Sequence, residues 1–368
     1  MRVGGTVAGM PTTSRARQPV ARLHGPGEIA AVVPMLCGFV PAESLVVVCL
    51  HGKRSRVGLT MRIDLPPADV EPDLVAQVLG RLRVDGGRGV LVVVYTQDSD
   101  VEAELPRGAL VEQLAAGCRR AGVTLSDALL VRAGRWWSYV CDDVSCCPAD
   151  GTPLDTEATA AVGLVAAVQA LDGQAVLPSR ADLVASLSPP TGPAAQTATS
   201  RLRATDQARA RRVAVEGRVR VGQDALRLWR HTLDHAFEPP NELAPETAAI
   251  LVVSLTDVLV RDEVISWALE DNAAVLGLLL SLARSCGPPH DSAVCTAVAW
   301  VAHLRGDGAL ANVALDRALA CDPEYSMAQL GRQALDGQVP PTQMRSLMAE
   351  SRRLQRQLHP WTACHEAG

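Results

Sequence analysis

A chain of 368 residues with 48% hydrophobic side chains has the apolar mass for a sizeable core and is too hydrophobic to be disordered throughout. Its formal charge of -5 excludes the strongly basic class that binds nucleic acid through bulk charge, and 3% aromatics leave Ala, Val and Leu to build the core. Lys53 is the only lysine, a coding bias that discounts arguments resting on arginine alone.

Residues 1–24 show no periodic pattern and no apolar run suited to a signal peptide, so a flexible tail is expected there, with a second tail at 361–368. The longest uncharged apolar stretches, such as Ala158–Leu171 and Asn272–Ala283, fall short of the ~18 residues of a membrane span. A cytoplasmic protein is expected, with no membrane contact and its ten cysteines held as thiols or metal ligands.

Glu28–Leu36 reads as a short helix, ended by Gly38 and Pro41. Ser44–Leu50 is a Val-rich run, the pattern of a strand buried on both faces. The polar HGKRSR joins it to Val57–Leu65 as an antiparallel hairpin. Leu74, Val75, Val78, Leu79 and Leu82 then repeat at helical spacing before Gly86 and Gly87. Gly89–Thr96 is the next strand. Its order after Val57–Leu65 and a helix predicts a parallel crossover between those two strands. Arg107–Ala121 and Ala128–Ala133 repeat the unit. Gly134-Arg135 is expected to turn the chain into a last strand, Trp136–Cys141. The fold class is α/β: a mixed five-stranded sheet with flanking helices over 25–152.

Beyond Thr152 the strand signals stop. Thr156–Leu171 and Arg180–Leu187 form a helical connector over 153–193, broken by Ser188–Pro193. An all-helical domain is expected over 194–360, with helices at Thr199–Gly217, Asp224–Ala236, Pro245–Val260, Asp262–Leu269, Ala273–Arg284, Ser292–Arg305, Ala309–Ala320, Ser326–Leu335 and Thr342–Leu358.

Four stretches together carry a family resemblance: GFVPAESLVVV, MRIDLP, GRWWSYVCDDVSCCPADGTPL and LRGDGALANVALDRALACDPEYSMAQL. They resemble the uncharacterised actinobacterial family called domain of unknown function 4192, from about Gly27 to about Leu335. The resemblance implies a lineage and carries no activity or site residue with it. Trp300, Gly306, Ala311, Ala318 and Pro323 also fall near the pattern of a tetratricopeptide-like hairpin, although such arrays normally need at least ~3 repeats and one copy is legible.

Two stretches are candidates for chemistry. Cys141, Cys146 and Cys147 follow the last predicted strand. Thiolates on a tight loop suit zinc if a fourth ligand arrives, with Asp142 or Asp143 as an oxygen donor. The Cys-x4-Cys-Cys spacing is not that of a zinc ribbon, and the same thiols suit a reversible disulfide, or plain packing of a turn around Pro148 and Gly151. Asp64, Thr96 and Asp98 lie where parallel strands would end, the usual place for a ligand in an open sheet. The two carboxylates could hold a cation or exchange protons, or could cap turns.

His231 and His235 share a helix face, but HTLDH lacks the Glu of the metalloprotease motif and reads as two surface histidines. Arg201–Arg230 holds nine arginines with Trp229 as its one aromatic, the pattern of a solvated face more than of a nucleic-acid surface. Phosphate-loop, dinucleotide and nucleophile-elbow motifs are absent, and no cofactor is indicated. Three readings follow: a non-catalytic interaction or regulatory protein with a protein partner on its helical half, an enzyme with a sheet-edge pocket at Asp64 and Asp98, or a metal or redox sensor at the cysteine loop.

Overall fold

A computed structural model describes residues 21–99, 104–154, 159–171, 173–235 and 243–363. Most of the expected terminal tails lie outside these residues.

The sheet half runs α1 (Pro26–Cys37), β1 (Ser44–His51), β2 (Arg56–Asp64), α2 (Glu71–Asp85), β3 (Gly89–Tyr95), α3 (Gly108–Ala121), β4 (Thr124–Arg132), β5 (Arg135–Ser138) and β6 (Thr152–Pro153). The sheet is mixed and has six strands, in the order β2-β1-β3-β4-β5-β6. The sixth, two residues long and paired with Arg135 and Trp136, was not legible as a strand.

The order of the first three strands corrects the expected crossover. β1 is fully buried over most of its length and sits between β2 and β3, antiparallel to both. β2 is largely exposed at its start and takes the edge, which suits its polar side chains Arg56, Thr60, Arg62 and Asp64. The parallel crossover is made instead by β3, α3 and β4.

Alternation sends β1, β3 and β4 side chains to two separate cores. Leu45, Val47, Val90, Val92, Val94, Ala128 and Leu130 pack on α2 and α3. Val46, Val48, Leu91, Val93, Leu129 and Val131 face α1, and that apolar cluster continues without interruption into the C-terminal helices. Burying each such Val or Leu contributes about 1.5–3 kcal/mol.

The β4–β5 turn is made by Ala133 (φ 49°) and Gly134 (φ 72°), one residue earlier than expected. Two left-handed residues match the twist of a hairpin, and an Ala-Gly pair is a weaker sequence signal than Asn-Gly.

The C-terminal half is helical among the described residues. It comprises α4 (Ala160–Leu171), α5 (Arg180–Ser186), α6 (Gly192–Glu216), α7 (Arg218–His235), α8 (Pro245–Ser254), α9 (Val258–Ser266), α10 (Asn272–Ser285), α11 (Asp291–Arg305), α12 (Gly308–Cys321), α13 (Ser326–Asp336) and α14 (Pro341–Leu358). Three boundaries differ from expectation. α6 starts at Gly192 because Pro193 fits a first turn, where its missing N–H costs nothing. α7 starts at Arg218, directly after Gly217 at φ 85°.

The expected helix Pro245–Val260 is two helices. Asp257 accepts the Leu259 N–H at 3.1 Å and so starts α9. The same carboxylate accepts two bonds from Arg218 at 2.7 and 2.8 Å and pairs with Arg209 at 3.3 Å. Burial acts to raise the Asp257 pKa, but the bonds and charge of Arg218, with the Leu259 N–H and the charge of Arg209, together outweigh it and hold the carboxyl below its usual value.

Arg317 on α12 gathers several helix ends. Its guanidinium donates to the carbonyl oxygens of Leu187, Ala283 and Cys286, and to Asp291 Oδ1 at 2.6 Å. It thus neutralises the C-terminal ends of α5 and α10 and holds the first residue of α11. Among the described residues no helix is long and apolar enough to cross a membrane.

Candidate functional site

At the sheet rim, Ser44 pairs with Asp64 on one side and Tyr95 on the other, so Asp64 and the end of β3 are level but separated by β1. Asp64 and Thr96 are therefore not on adjacent strands. The structure joins Thr96 to Asp98, whose N–H donates to Thr96 Oγ1 at 3.1 Å. Asp64 stands apart: 81% exposed, it pairs with Arg62 at 2.6 Å. Asp98 pairs with Arg107 at 3.1 Å.

The organising acid of this rim is Glu43, which the sequence reading missed. It accepts from Thr96 Oγ1 at 2.9 Å and from the Gln97 N–H at 2.8 Å, while its carbonyl accepts from Leu65 N at 3.0 Å. Its φ of 41° is unfavourable for a residue with a side chain and is not readable from PAES. Arg107, also left-handed at φ 63°, donates to Pro66 O at 3.0 Å and to buried Glu71 at 2.9 Å. The Glu71 bond is the main reason its guanidinium pKa is raised. The rim carboxylates are thus already engaged by arginines, hydroxyls and backbone.

The cysteine loop differs. β5 pairs with β4 and β6 antiparallel, so residues 139–151 close the β5–β6 hairpin at the end opposite the Ala133–Gly134 turn. Cys141 does not end a strand as expected, since β5 stops at Ser138 and only the Tyr139 N–H reaches back, to Ala128 O at 2.9 Å.

Both arms of the loop are pinned. Tyr139 Oη donates to Pro106 O at 2.6 Å, and Trp137 Nε1 donates to Ala149 O at 2.9 Å. Arg135 donates to the carbonyls of Asp150 and Gly151, each at 2.7 Å. Gly151 has φ 71°, and a Cβ there would lie 2.4 Å from the Trp137 ring. Only glycine meets both conditions. In the middle, Cys146 and Cys147 N–H groups both donate to Asp143 O, at 3.1 and 2.8 Å, closing a tight turn.

That turn stacks the sulfurs. Cys141 Sγ lies 3.2 Å from Cys146 Sγ, which lies 3.4 Å from Cys147 Sγ, and all three are within 4.8 Å of one another. No other group of three or more metal-capable side chains gathers so closely among the described residues. Asp143 is no part of it, because its Oδ1 accepts from Ser145 N at 2.9 Å and Ser145 Oγ at 2.7 Å.

Thiol contacts split the acidities. The bond from Cys146, followed by the Asp143 N–H, lowers the Cys141 pKa; the same contact raises that of Cys146. Cys147, packed against the larger core, is raised chiefly by desolvation. The first proton is thus lost most easily from Cys141.

The remaining candidates stay apart from both places. His231 and His235 are exposed and stack at 4.6 Å, with His235 Nδ1 3.1 Å from His231 O. Seven of the nine arginines in Arg201–Arg230 have a carboxylate partner, namely Arg201, Arg209, Arg212, Arg218, Arg220, Arg227 and Arg230.

No curated protein and no solved structure matches this chain. A family does match, over residues 26–342, which takes in the sheet, both candidate places and most of the helical half. The chain belongs to the family described as Domain of unknown function (DUF4192).

Proposed function

We propose that the protein is a non-catalytic, cytoplasmic regulatory protein in which the cysteine loop senses a soft divalent metal ion and the helical half carries the surface for a protein partner. The clustering of three sulfurs within 4.8 Å supports this reading. Thiolates select soft or borderline ions, and Zn–S bonds of about 2.3 Å in a tetrahedron set sulfurs roughly 3.8 Å apart. The present separations of 3.2 and 3.4 Å need only a small outward rotation of the side chains to admit an ion. The pinned arms keep that rotation local. Native mass spectrometry with metal analysis on the full chain should find one zinc per protein, lost in Cys146→Ser. Protein that takes up no zinc from a buffered solution would sink the reading.

A redox reading is favoured by one specific contact, the 3.2 Å approach of Cys141 and Cys146 with the easier ionisation at Cys141. Hydrogen peroxide would take two electrons and two protons from the two thiols, giving an S–S bond and two waters. A peptide map after peroxide treatment should show that cross-link, and a map with both thiols still free to alkylate would dismiss it.

For the partner surface, α14 supports the proposal. Leu347, Leu354 and Leu358 stay exposed at 55%, 45% and 75%, at helical spacing along one face of α14. Such a stripe fits an amphipathic helix of a partner. The tetratricopeptide-like reading of α11 and α12 belongs to the same proposal. Small residues Ala297, Ala311, Ala314 and Ala318 are buried in this region, and Gly306 ends α11 at φ 88°. A photo-crosslinking residue at Leu354 should give one discrete protein adduct in cells; its absence would count against the surface. The enzyme reading at Asp64 and Asp98 is not adopted, since each is ion-paired and β1 stands between β2 and β3.

A further inference from the structure

Resting on the metal reading above, we infer that the ion held by Cys141, Cys146 and Cys147 keeps a fourth coordination position facing solvent, and that this position takes a neutral imidazole from outside the chain. Three observations carry the step. No fourth His, Cys or carboxylate atom joins the three sulfurs within 4.8 Å among the described residues. The nearest carboxylate in sequence with a fixed role, Asp143, spends its Oδ1 on Ser145 and its carbonyl on Cys146 and Cys147. The cluster also lies at the surface: Cys146 is exposed, Cys141 and Cys147 are half-buried, and the neighbouring Val140 and Val144 are exposed.

Charge selects the ligand. Three thiolates around a divalent ion carry a net charge of about -1, and Asp142, Asp143 and Asp150 share the loop. A fourth thiolate would bring the centre to about -2 beside those carboxylates, whereas an imidazole adds no charge and suits the same borderline ion. Val140, next to Cys141, and Val144, between Cys141 and Cys146, are exposed and leave apolar surface on this loop for an incoming side chain. The proposed occupant is therefore a histidine side chain presented by a partner, with the metal as the bridge.

Cobalt(II) is the probe, added to the full chain under anaerobic conditions with a phosphine reductant that is not itself a thiol. One equivalent should bind with sulfur-to-cobalt charge-transfer intensity about three quarters that of a four-thiolate standard, the ratio of three ligands to four. Added imidazole should then shift the cobalt d–d bands saturably, while N-acetylcysteine at the same concentration should leave them in place. Cys146→Ser should release the ion and with it the charge-transfer intensity. A four-thiolate spectrum, or bands indifferent to imidazole, would overturn the open position while leaving the metal reading intact. A preference for N-acetylcysteine would overturn the charge argument and the choice of imidazole. Failure to bind cobalt(II) or zinc at all would remove the metal reading and this inference with it.

Discussion

The rim around Glu43 and the loop around Cys146 both gather polar side chains at a margin of the sheet, yet their partners differ in kind. At the rim, opposite meets opposite: Asp64 holds Arg62, Asp98 holds Arg107, and Glu43 takes a hydroxyl and an N–H. At the loop, like meets like, and the sulfurs chiefly contact one another. A self-satisfied network fixes geometry and leaves little for a ligand to gain. Clustered soft donors gain most of their interaction energy when a cation arrives. The rim is therefore read as structural and the loop as the working site.

The sharpest way to break that contrast is Cys146→Ser, since Cys146 is the sulfur in contact with both others. Zinc carried through dialysis by wild-type protein should be lost altogether from the variant, as read by elemental analysis. Next in size is Gly151→Ala. A left-handed Cβ and its overlap with the Trp137 ring should together destabilise the protein by about 2–4 kcal/mol and lower metal affinity, because the pinned arm must move. Equal metal affinity in that variant would show that the anchors do not matter.

At the rim the expected effects are smaller and purely structural. Glu43→Ala should cost about 1 kcal/mol by urea titration, the net value of a typical hydrogen bond, and leave metal content untouched. Asp64→Asn should fall within about 0.5 kcal/mol, as expected of an exposed surface pair. A zinc deficit in either rim variant would merge the two places into one site.

The smallest expected effect comes from outside both. Burial lowers the pKa of His290 and of His303 below the usual value of about 6.5. The unfolded chain then binds more protons than the folded one as pH falls below about 6.5, so stability present above that pH is lost as it drops toward the folded pKa values. Melting temperature should decline from pH 7 to pH 5, and His303→Gln should flatten part of the slope. An unchanged slope would assign the decline to other groups.

Much of the sheet was legible because its strands are short runs of Val between turn residues, and burial on both faces leaves such runs little alternative. The neighbour relation of β2 and β3 was not, because sequence order cannot say which of two antiparallel partners β1 takes on each side. The polar content of β2 held the clue, since a strand that carries Arg56, Thr60, Arg62 and Asp64 suits an edge. At the sites, Cys141, Cys146 and Cys147 could be named from spacing, yet their stacking depends on where the turn at Asp143 closes. Glu43 was invisible for a different reason. Its role follows from a left-handed backbone, and no residue type at that position announces one. The split of Pro245–Val260 was missed because the cap at Asp257 is held by Arg209 and Arg218 from distant sequence.

The Arg317 cluster bears on how the chain can be cut. A fragment that begins after Pro193 would discard α5 and with it the Leu187 carbonyl, removing one of the oxygens that this guanidinium engages. The donor left behind would lie at the junction of α10, α11 and α12, where Ala283, Cys286 and Asp291 meet. Lysine offers no repair, because a single ammonium cannot span the carbonyls that the planar fork reaches together. An expressible helical piece should accordingly begin upstream of Arg180. Limited proteolysis of the whole chain should spare the peptide bonds between Arg180 and Leu187 for as long as α12 stays folded.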